Sequence, residues 1–450
     1  MPFASLTFLF LFLPICLILC YLVPLRVKNG VLLGLSLFFC LWGQSPLALL
    51  PLLAGTAASY GAGLLLDRWK GIQRTLLFWG TIAAEALLLA ICRYSGMFFS
   101  GADWLPPLGI AVATLHHISY LTDVYRGSCR PQFGIAAYGT YALMFPKLLG
   151  GPITRYERTA KELEHRFFRG EQVADGILRF TTGLAKKVLL ADNIGALWRQ
   201  VSLIPRPGLL PAWLGLLAFG LALYYNLSGY ADMAIGLGRM LGFTLPENFA
   251  HPFSATSIRD FCRRWQMSLL SWIRCYLLDP LQHGPASRWR TAFYALLIWM
   301  LVGIWYGGEW HYLLWGAYTG LLLAGETLVW GKLWTKFPLF LRRLLTLALI
   351  AGGWIFLAAG NLGDILSLIK ELVGRHGFGL QSGIRLLSSY GIMLLMGIIG
   401  AGSLPGRLIK QLQKKPRLLS WLTPGFVLIL LVLSTAYLVG GTDPQLLFRF

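Results

Sequence analysis

The chain has 450 residues, 56% of them hydrophobic and only 13% charged, whereas an ordinary soluble domain is about 45–50% apolar and about 25% charged. The net charge is +20, but the basic residues lie in short loops between apolar runs, which is typical of membrane topology signals and not of nucleic-acid binding. The seven cysteines form no C-x-x-C pair, so neither a disulfide framework nor a metal site is predicted.

Long uncharged stretches predict an all-α protein that crosses the bilayer many times. A crossing needs about 20 apolar residues, and stretches such as Thr7–Val23 and Gly208–Ala231 carry no charge. By this criterion hydropathy predicts about 11–13 transmembrane helices, with re-entrant or interfacial helices between them. The predicted spans are 4–23, 31–53, 54–66, 75–92, 106–122, 133–150, 174–196, 209–229, 291–307, 310–330, 340–360, 385–403 and 420–440.

Three ionisable residues lie inside predicted spans near the N-terminal end of the chain. Glu85 is the only carboxylate of the 75–92 span, and we expect it to pair with a neighbouring helix because a buried charge is costly in a bilayer. His116 and His117 are adjacent in the 106–122 span. A packing role is the simpler interpretation for this pair, with one ring facing the core of the protein.

The stretch MFPKLLGGPITRYERTAKEL, Met144 to Leu163, predicts a re-entrant turn. Pro146 and the Gly150–Pro152 run break a helix in apolar surroundings, and Lys147 and Arg155 flank the break. Non-helical backbone at membrane depth is tolerated only inside the protein or beside a cavity.

The stretch from Tyr224 to Phe249, YYNLSGYADMAIGLGRMLGFTLPENF, combines polar groups with the end of an apolar run. Asp232 and Arg239 are seven residues apart and share a helix face, but they are too distant for a direct i,i+4 pair. We therefore expect a water-filled cavity or other partners around Asp232. The alternative is a structural polar network, with Asn226 and Ser228 satisfying broken helices.

The stretch from Ser257 to Leu277 predicts an amphipathic, basic helix that lies in the membrane interface or re-enters the fold. Its apolar residues recur at helical spacing, and Ser257 with Asp260 forms a loose capping box at the start. The alternative is an interfacial packing helix with no chemistry.

The stretch GIWYGGEWH, Gly303 to His311, places a carboxylate and a histidine between two apolar runs. Such residues inside a bilayer usually carry a task. His311 lies five residues after Tyr306, about 140° around an ideal helix from it. The two side chains therefore share a site only if Gly307 and Gly308 break the helix between them.

Six ordered blocks of the chain together resemble the membrane-bound O-acyltransferase (MBOAT) family. The similarity is to its bacterial branch of alginate O-acetyltransferases and teichoic-acid D-alanyl transfer proteins, and it covers nearly the whole chain. The blocks are LGIAVATLHHISYLTDVYRG (108–127), FPKLLGGPITRY (145–156), GLAKKVLLADN (183–193), SGYADMAIGLGRMLGFTLPENF (228–249), RRWQMSLLSWIRCYLLDPL (263–281) and WYGGEWHYLLWGAYTG (305–320).

The resemblance implies one membrane domain over residues 1–450, with its core blocks in 108–320 and tilted helices around a central, funnel-like cavity. It implies an acyl thioester, acetyl-CoA or an acyl carrier, as co-substrate and no bound cofactor or metal. The acceptor implied is a hydroxyl of an exported polysaccharide or envelope polymer. The resemblance implies membrane lipids and periplasmic or extracellular acetylation proteins as partners, and it does not imply nucleic acid. The implied location is the cytoplasmic (inner) membrane.

The chain departs from the family where the mechanism is expected. The resemblance places family histidines at Gln266, Tyr306 and Thr319, and a family aspartate at Asn226. Tyrosine has a reference pKa of about 10 and glutamine does not titrate, so neither replaces a histidine as a base. The catalytic candidates are Tyr306, Gln266 and His311; the substrate-binding candidates are Asn226, Ser228, Asp232, Asn248, Arg263, Arg264, Trp265, Trp305, Lys147 and Arg155.

Two functions stay open on the sequence alone. The first is an O-acyltransferase with a rebuilt active site, for which the retained GGPITRY, AKK and PENF blocks speak. The second is a catalytically impaired homologue that serves as an acyl- or lipid-binding scaffold in an envelope-modification complex. A transporter or channel rests only on the intramembrane polar residues, and the ordered family blocks disfavour it.

Overall fold

The computed structural model describes residues 2–98, 107–166, 168–281, 287–404, 406 and 416–440, and the regular structure within these ranges is helical, as predicted. The α-helices are α1 (Leu13–Leu22), α2 (Leu25–Leu41), α3 (Leu49–Arg68), α4 (Gly71–Phe98), α5 (Ile110–Tyr125), α6 (Ile135–Leu143), α7 (Phe145–Leu148), α8 (Tyr156–Glu164), α9 (Gly170–Ala185), α10 (Asp192–Ser202), α11 (Leu209–Met240), α12 (Ile258–Arg264), α13 (Met267–Ile273), α14 (Asp279–Leu281), α15 (Arg288–Tyr306), α16 (Trp310–Gly325), α17 (Gly331–Trp334), α18 (Leu339–Ala358), α19 (Leu362–Leu372), α20 (Leu380–Ala401) and α21 (Pro416–Gly440). Single π-helical turns lie at Phe8–Phe12, Lys186–Ala191, Arg274–Leu278 and Glu326–Trp330, and 3₁₀ turns lie at Pro46–Ala48 and Pro252–Ser254.

Seven of the described helices are long and apolar enough to cross a membrane. Each predicted span overlaps a helix, but the predicted total of about 11–13 is larger, because several spans correspond to shorter helices, such as the 16-residue α5 and α16. The predicted boundary between spans 31–53 and 54–66 is wrong, since α2 ends at Leu41 and α3 begins at Leu49. The seven are Pro46–Arg68, Gly71–Tyr94, Leu209–Met240, Arg288–Tyr306, Leu339–Ala358, Leu380–Ala401 and Trp421–Gly440.

Helix α11 is the central helix of the described fold. Over its most apolar window 78% of the residues are buried, compared with 6% for Trp421–Gly440 at the periphery. Glycines seven residues apart let α9 and α11 approach at backbone distance. A Cβ added to Gly229 would lie 2.8 Å from the Gly183 oxygen, and one added to Gly236 would lie 2.6 Å from the Gly176 oxygen. Small residues at the interface are the usual means of close helix packing in membranes.

The predicted pairing of Glu85 is confirmed. Its Oε2 lies 3.0 Å from Nδ1 of His117, and Nε2 of the same ring lies 3.2 Å from the Thr56 hydroxyl. The contact joins α3, α4 and α5, and both members of the pair are almost completely buried. His117 is therefore a packing residue with satisfied nitrogens, as the sequence suggests.

The chain breaks at two places that shape the interior. The first is the re-entrant turn between α7 and α8, whose non-helical residues Ile153 and Thr154 are buried, as predicted. The second corrects the sequence analysis, because the predicted helix from Ser257 to Leu277 is not continuous. The Ser257 cap is present and accepts a hydrogen bond from the Asp260 N–H at 3.1 Å. The backbone then turns at Gln266, where φ is +45°.

Candidate active site

The side chains of Tyr306 and Gln266, two of the positions where the resemblance places histidines, meet inside the protein. Tyr306 ends α15, is 4% exposed and donates its hydroxyl hydrogen to Oε1 of Gln266. The contact forms because α13 and α15 share one apolar cluster that includes Leu269 and Val302. Both partners are neutral hydrogen-bonding groups, so the pair can orient a ligand but contains no group that titrates near neutral pH.

Three tryptophans, Trp265, Trp299 and Trp315, enclose this pair. They line a cavity of about 10 Å³ beside Tyr306 and also a neighbouring cavity of about 30 Å³ that contains Thr319. One water molecule needs about 10–15 Å³, so the space beside Tyr306 holds about one water. The space beside Tyr306 is therefore far smaller than the central cavity that the resemblance implies.

A larger, partly open cavity of about 490 Å³ lies between the re-entrant turn, the segment Thr244–Glu247 and α13. Its volume is in the range of small-molecule sites, about 300–1,000 Å³. It shares no lining residue with the cavity beside Tyr306. We call it the loop cavity, and its polar lining includes Thr154, Arg155, Arg158, Glu247, Ser268 and Ser271.

Asn248 and Ser268 fix the wall of the loop cavity. The Ser268 hydroxyl donates to Oδ1 of Asn248 at 2.8 Å and accepts from the backbone N–H of Ile153 at 3.0 Å. The carbonyl oxygen of Asn248 accepts from the Met267 N–H at 2.9 Å. Asn248, a predicted substrate-binding residue, is 5% exposed and lies behind the wall. Its contacts hold the re-entrant turn against the start of α13.

Two buried basic side chains converge on the hydroxyl of Thr154, which belongs to this wall. Nε2 of His116 lies 3.4 Å from Oγ1, and Nζ of Lys147 lies 3.3 Å from the same oxygen. Lys147 also donates to the carbonyl of Tyr141. Both basic residues are 0% exposed. Lys147, expected to flank the helix break, thus lies under the loop cavity together with a histidine expected to be a packing residue.

Asp232 has the partners that its burial requires. Its Oδ1 pairs with Arg179 at 2.6 Å and its Oδ2 with Lys186 at 2.5 Å. Arg179 continues to Glu247 on the loop cavity at 2.5 Å. The prediction that Asp232 needs partners other than Arg239 is confirmed. These ion pairs are linked in a row of two cations and two carboxylates. Their charges compensate each other, which lowers the free-energy cost of burying them.

The remaining predicted binding residues are scattered. Arg155 contacts the loop cavity and donates to Sγ of Cys275 at 3.3 Å. Arg264 pairs with Asp260 at 2.8 Å, and Arg263 is exposed. The indole N–H of Trp305 donates to the carbonyl of Ala111 at 3.2 Å. Of these, Arg155 is the residue that lines one of the cavities described above.

His311 and two polar residues of α11 lie outside the loop cavity. Helix α15 ends at Tyr306 and α16 begins at Trp310, so the Gly307–Gly308 pair does break the helix. His311 nevertheless lies 3.2 Å from Glu309 and lines none of the three cavities described above. Asn226 and Ser228 are buried in α11. Among the described residues, no group of three or more His, Cys, Asp or Glu side chains is arranged to hold a metal ion.

His116 and Thr154 are the site residues that the sequence analysis did not select. They are 38 residues apart, so no local pattern predicts their contact. The available signal is the cost of a histidine in an apolar helix, but the adjacent His117 gives the same signal and has a packing role. Only the tertiary contact between α5 and the re-entrant turn distinguishes the two rings.

Comparisons with known proteins show which family the chain belongs to. The family model described as "MBOAT, membrane-bound O-acyltransferase family" matches residues 130–358. The probable alginate O-acetylase AlgI of Pseudomonas aeruginosa is 34% identical over 380 residues, which cover 80% of this chain and 73% of that protein. The peptidoglycan O-acetyltransferase of Helicobacter pylori is 28% identical over 429 residues, covering 83% and 80%.

A more distant relative is the teichoic acid D-alanyltransferase of Bacillus subtilis, which is 26% identical over 281 residues and covers 58% of this chain and 71% of that protein. The residues matched by the family model, 130–358, include the re-entrant turn and α11. They also include the backbone turn at Gln266 and the segment around Tyr306. With seven candidate membrane spans in the described residues, the chain is a multi-pass membrane protein that belongs to the membrane-bound O-acyltransferase family.

Proposed function

We propose that this protein transfers an acyl group, in the first instance acetyl, from a thioester to a hydroxyl of an exported polysaccharide or cell-envelope polymer. The observation that carries the proposal is the loop cavity of about 490 Å³, whose wall combines three family blocks. The names of the relatives point the same way, since they describe acyl transfer to alginate, peptidoglycan and teichoic acid. The cytoplasmic membrane is the proposed location.

The loop cavity is the proposed site of the acyl donor, acetyl-CoA or an acyl-carrier protein. Both donors carry the acyl group on an arm with anionic phosphate, and Arg155 and Arg158 at the cavity offer cations that match it. The hydroxyl group of Ser271 offers a hydrogen bond to the neutral part of the arm. Glu247 is held by Arg179, which limits its repulsion of an anion.

The proposed role of Tyr306 and Gln266 is to orient the acceptor hydroxyl. Their hydrogen bond supplies a fixed polar pair within the Trp265, Trp299 and Trp315 enclosure, and positioning alone contributes several kcal/mol to many reactions. The enclosure has to open for an acceptor to enter. We assign His311 no contact with either substrate, because it lines neither the loop cavity nor the cavity beside Tyr306.

A scaffold that binds an acyl donor without turnover is the second candidate. It is favoured by the cavity of about 10 Å³ beside Tyr306 and by the absence of a titrating group in the Tyr306–Gln266 pair. In either role the partners proposed are membrane lipids, the polymer and extracytoplasmic acetylation proteins.

An acyl-transfer assay distinguishes the acyltransferase from the scaffold. The full chain in lipid nanodiscs is incubated with radiolabelled acetyl-CoA and with alginate or peptidoglycan fragments, and label on the polymer is counted. Acyl transfer predicts labelled polymer, and Arg155→Ala with Arg158→Ala should raise the donor KM about tenfold or more, since a charged hydrogen bond contributes about 1.5–3 kcal/mol.

A gain-of-function variant provides the control. Tyr306→His combined with Gln266→His restores two titrating side chains, and a general base contributes about 10²–10⁴-fold. If the wild-type protein labels no polymer and this double variant does, the wild type binds the donor without turnover. That outcome supports the scaffold role. A parent and variant that both bind no acetyl-CoA and label no polymer refute both roles.

A further inference from the structure

A cluster of basic side chains lies around the start of α18. Lys332, in α17, and Lys336, just after it, are exposed, and Arg343 is half-buried in α18. Within the described part of the chain, these three side chains have no hydrogen bond or ion pair. The segment 327–363 also contains no aspartate or glutamate. We call the three residues the basic surface, and no carboxylate of its own segment balances its charge.

Apolar side chains lie among these cations, and each of them exposes more than a third of its surface; they are Leu333, Phe337, Leu339 and Phe340. Helix α18 is long and apolar enough to cross a membrane, so the basic surface lies where this span meets water. Cations mixed with exposed aromatic and aliphatic side chains at such a boundary match a membrane surface, where headgroups lie beside acyl chains. A soluble acidic protein would match the cations but not the apolar side chains.

The carboxylates of the neighbouring elements have partners of their own. Glu326 accepts a hydrogen bond from the backbone N–H of Arg259 at 3.1 Å, and Asp260 pairs with Arg264 at 2.8 Å. An anion that matches the basic surface therefore comes from outside this part of the chain. At the end of a membrane span that anion is the phosphate of a lipid headgroup, and each nearby Lys or Arg strengthens the attraction of anionic lipid about fivefold.

Hydrogen bonds connect the same segment to α12. The indole N–H of Trp334 donates to the carbonyl oxygen of Thr256 at 3.0 Å, and the guanidinium group of Arg342 donates to the Thr256 hydroxyl at 3.3 Å. Thr256 lies two residues before α12, and α12 leads to the backbone turn at Gln266. A contact that holds α17 and the start of α18 at the membrane surface therefore also restrains α12.

We propose that the basic surface binds the headgroups of anionic phospholipids and that this contact holds α12 in place. Phosphate oxygens accept hydrogen bonds from Lys332, Lys336 and Arg343, and the exposed side chains of Phe337 and Phe340 lie among the acyl chains. The proposal specifies the charge of the lipid and the residues that bind it. It concerns binding alone and holds whether or not the protein transfers an acyl group.

The first test measures lipid binding. The full chain in detergent is titrated with phosphatidylglycerol, which is anionic, or with phosphatidylcholine of the same acyl chains, and bound lipid is counted by native mass spectrometry. We expect tighter binding of phosphatidylglycerol. Lys332→Gln combined with Lys336→Gln and Arg343→Gln should weaken that binding about 100-fold, at about fivefold for each lost cation, and leave phosphatidylcholine binding unchanged.

The matched control removes two exposed cations beyond the other end of α18, by Lys370→Gln combined with Arg375→Gln. This variant should bind phosphatidylglycerol as the wild type does, and thermal unfolding in detergent checks that each variant is folded. Equal loss of binding in the control and the triple variant would mean that net charge alone attracts the lipid, which overturns the proposal. Unchanged binding in the triple variant overturns it as well.

The second test measures the effect on α12. Amide hydrogen exchange of residues 256–265 is compared in nanodiscs of phosphatidylglycerol and of phosphatidylcholine. We expect exchange about tenfold slower with the anionic lipid, as for a ligand at about ten times its dissociation constant that binds the closed form alone. The triple variant should lose this difference. Equal exchange in both lipids refutes the restraint of α12.

An acidic protein is the competing partner for the basic surface. An acyl-carrier protein is therefore added to the wild type and to the triple variant in phosphatidylcholine nanodiscs, and its binding is measured. We expect the same binding in both. Binding that the triple variant loses would assign the surface to an acidic protein and overturn the proposal. The acyl-transfer assay described above is independent of all these outcomes, so a failure here leaves the proposed function intact.

Discussion

The two cavities described above differ in size and in the chemistry of their walls. The loop cavity has a volume of about 490 Å³, and behind its wall lie His116 and Lys147. The cavity beside Tyr306 has a volume of about 10 Å³ and is enclosed by aromatic rings around one neutral hydrogen bond. The family resemblance draws attention to the cavity beside Tyr306. The volume for a ligand and the ionisable side chains are instead found at the loop cavity.

The largest expected effect concerns the ion pairs beside the loop cavity. Asp232→Ala leaves Lys186 and Arg179 without their shared carboxylate, and removing one partner of a buried pair costs about 3–5 kcal/mol. Because both cations are partly exposed, we expect the lower end of that range, measured as a fall in the midpoint of thermal unfolding in detergent. Asp175→Ala, at an exposed position of α9, is the control and should leave the midpoint almost unchanged.

The second effect is a difference in access to solvent. A cysteine at Ser271, on the loop cavity, should react with a water-soluble maleimide about 100-fold faster than one at Val302, beside Tyr306. Reaction at the buried site requires a local opening, and about 3 kcal/mol of opening corresponds to that factor. Rates are measured above the background of the natural cysteines. Equal rates at the two sites would mean that the Tyr306 enclosure opens readily, which would remove the contrast.

The third effect concerns the wall of the loop cavity. Ser268→Ala removes the hydroxyl that joins Ile153 to Asn248, and a buried group left without its partner costs about 1–3 kcal/mol. We expect weaker acetyl-CoA binding by up to about tenfold, measured by equilibrium dialysis, because the re-entrant turn loses its anchor. Ser202→Ala, whose hydroxyl bonds a carbonyl of its own helix, should bind normally. Unchanged binding in Ser268→Ala would show that the wall does not hold the donor.

The smallest effect is expected at the neutral pair. Tyr306→Phe leaves Oε1 of Gln266 without its donor and should destabilise the protein by about 1–2 kcal/mol. In a double-mutant cycle with Gln266→Leu, the combined loss should be smaller than the sum of the single losses, since both changes remove the same bond. Additive losses, measured by thermal unfolding, would contradict the contact between these two side chains.

The fold was largely predictable because membrane helices depend on local composition. Uncharged runs located a helix at each predicted span, and the breaking residues Gly150–Pro152 located the re-entrant turn. The predicted total of about 11–13 spans stays a prediction, since composition does not tell whether a 16-residue buried helix such as α5 crosses the membrane.

The site was predictable only in part. The ordered blocks brought attention to Tyr306 and Gln266, and these two residues are in contact. The break at Gln266 was missed because apolar residues continue at helical spacing on both sides of it, and glutamine carries no turn signal. The convergence of His116 and Lys147 on Thr154 depends on tertiary packing across three segments, which local periodicity cannot express.

The backbone at Gln266 has a consequence for how this protein can change. A residue with positive φ costs about 1–2 kcal/mol for a side chain of this kind, and the neighbouring Met267 and Ser268 hold the turn through Asn248. The glutamine side chain therefore does not have to maintain the turn. Another polar residue could replace it without refolding its neighbours, so mutation could exchange the chemistry at this point while the architecture stays the same.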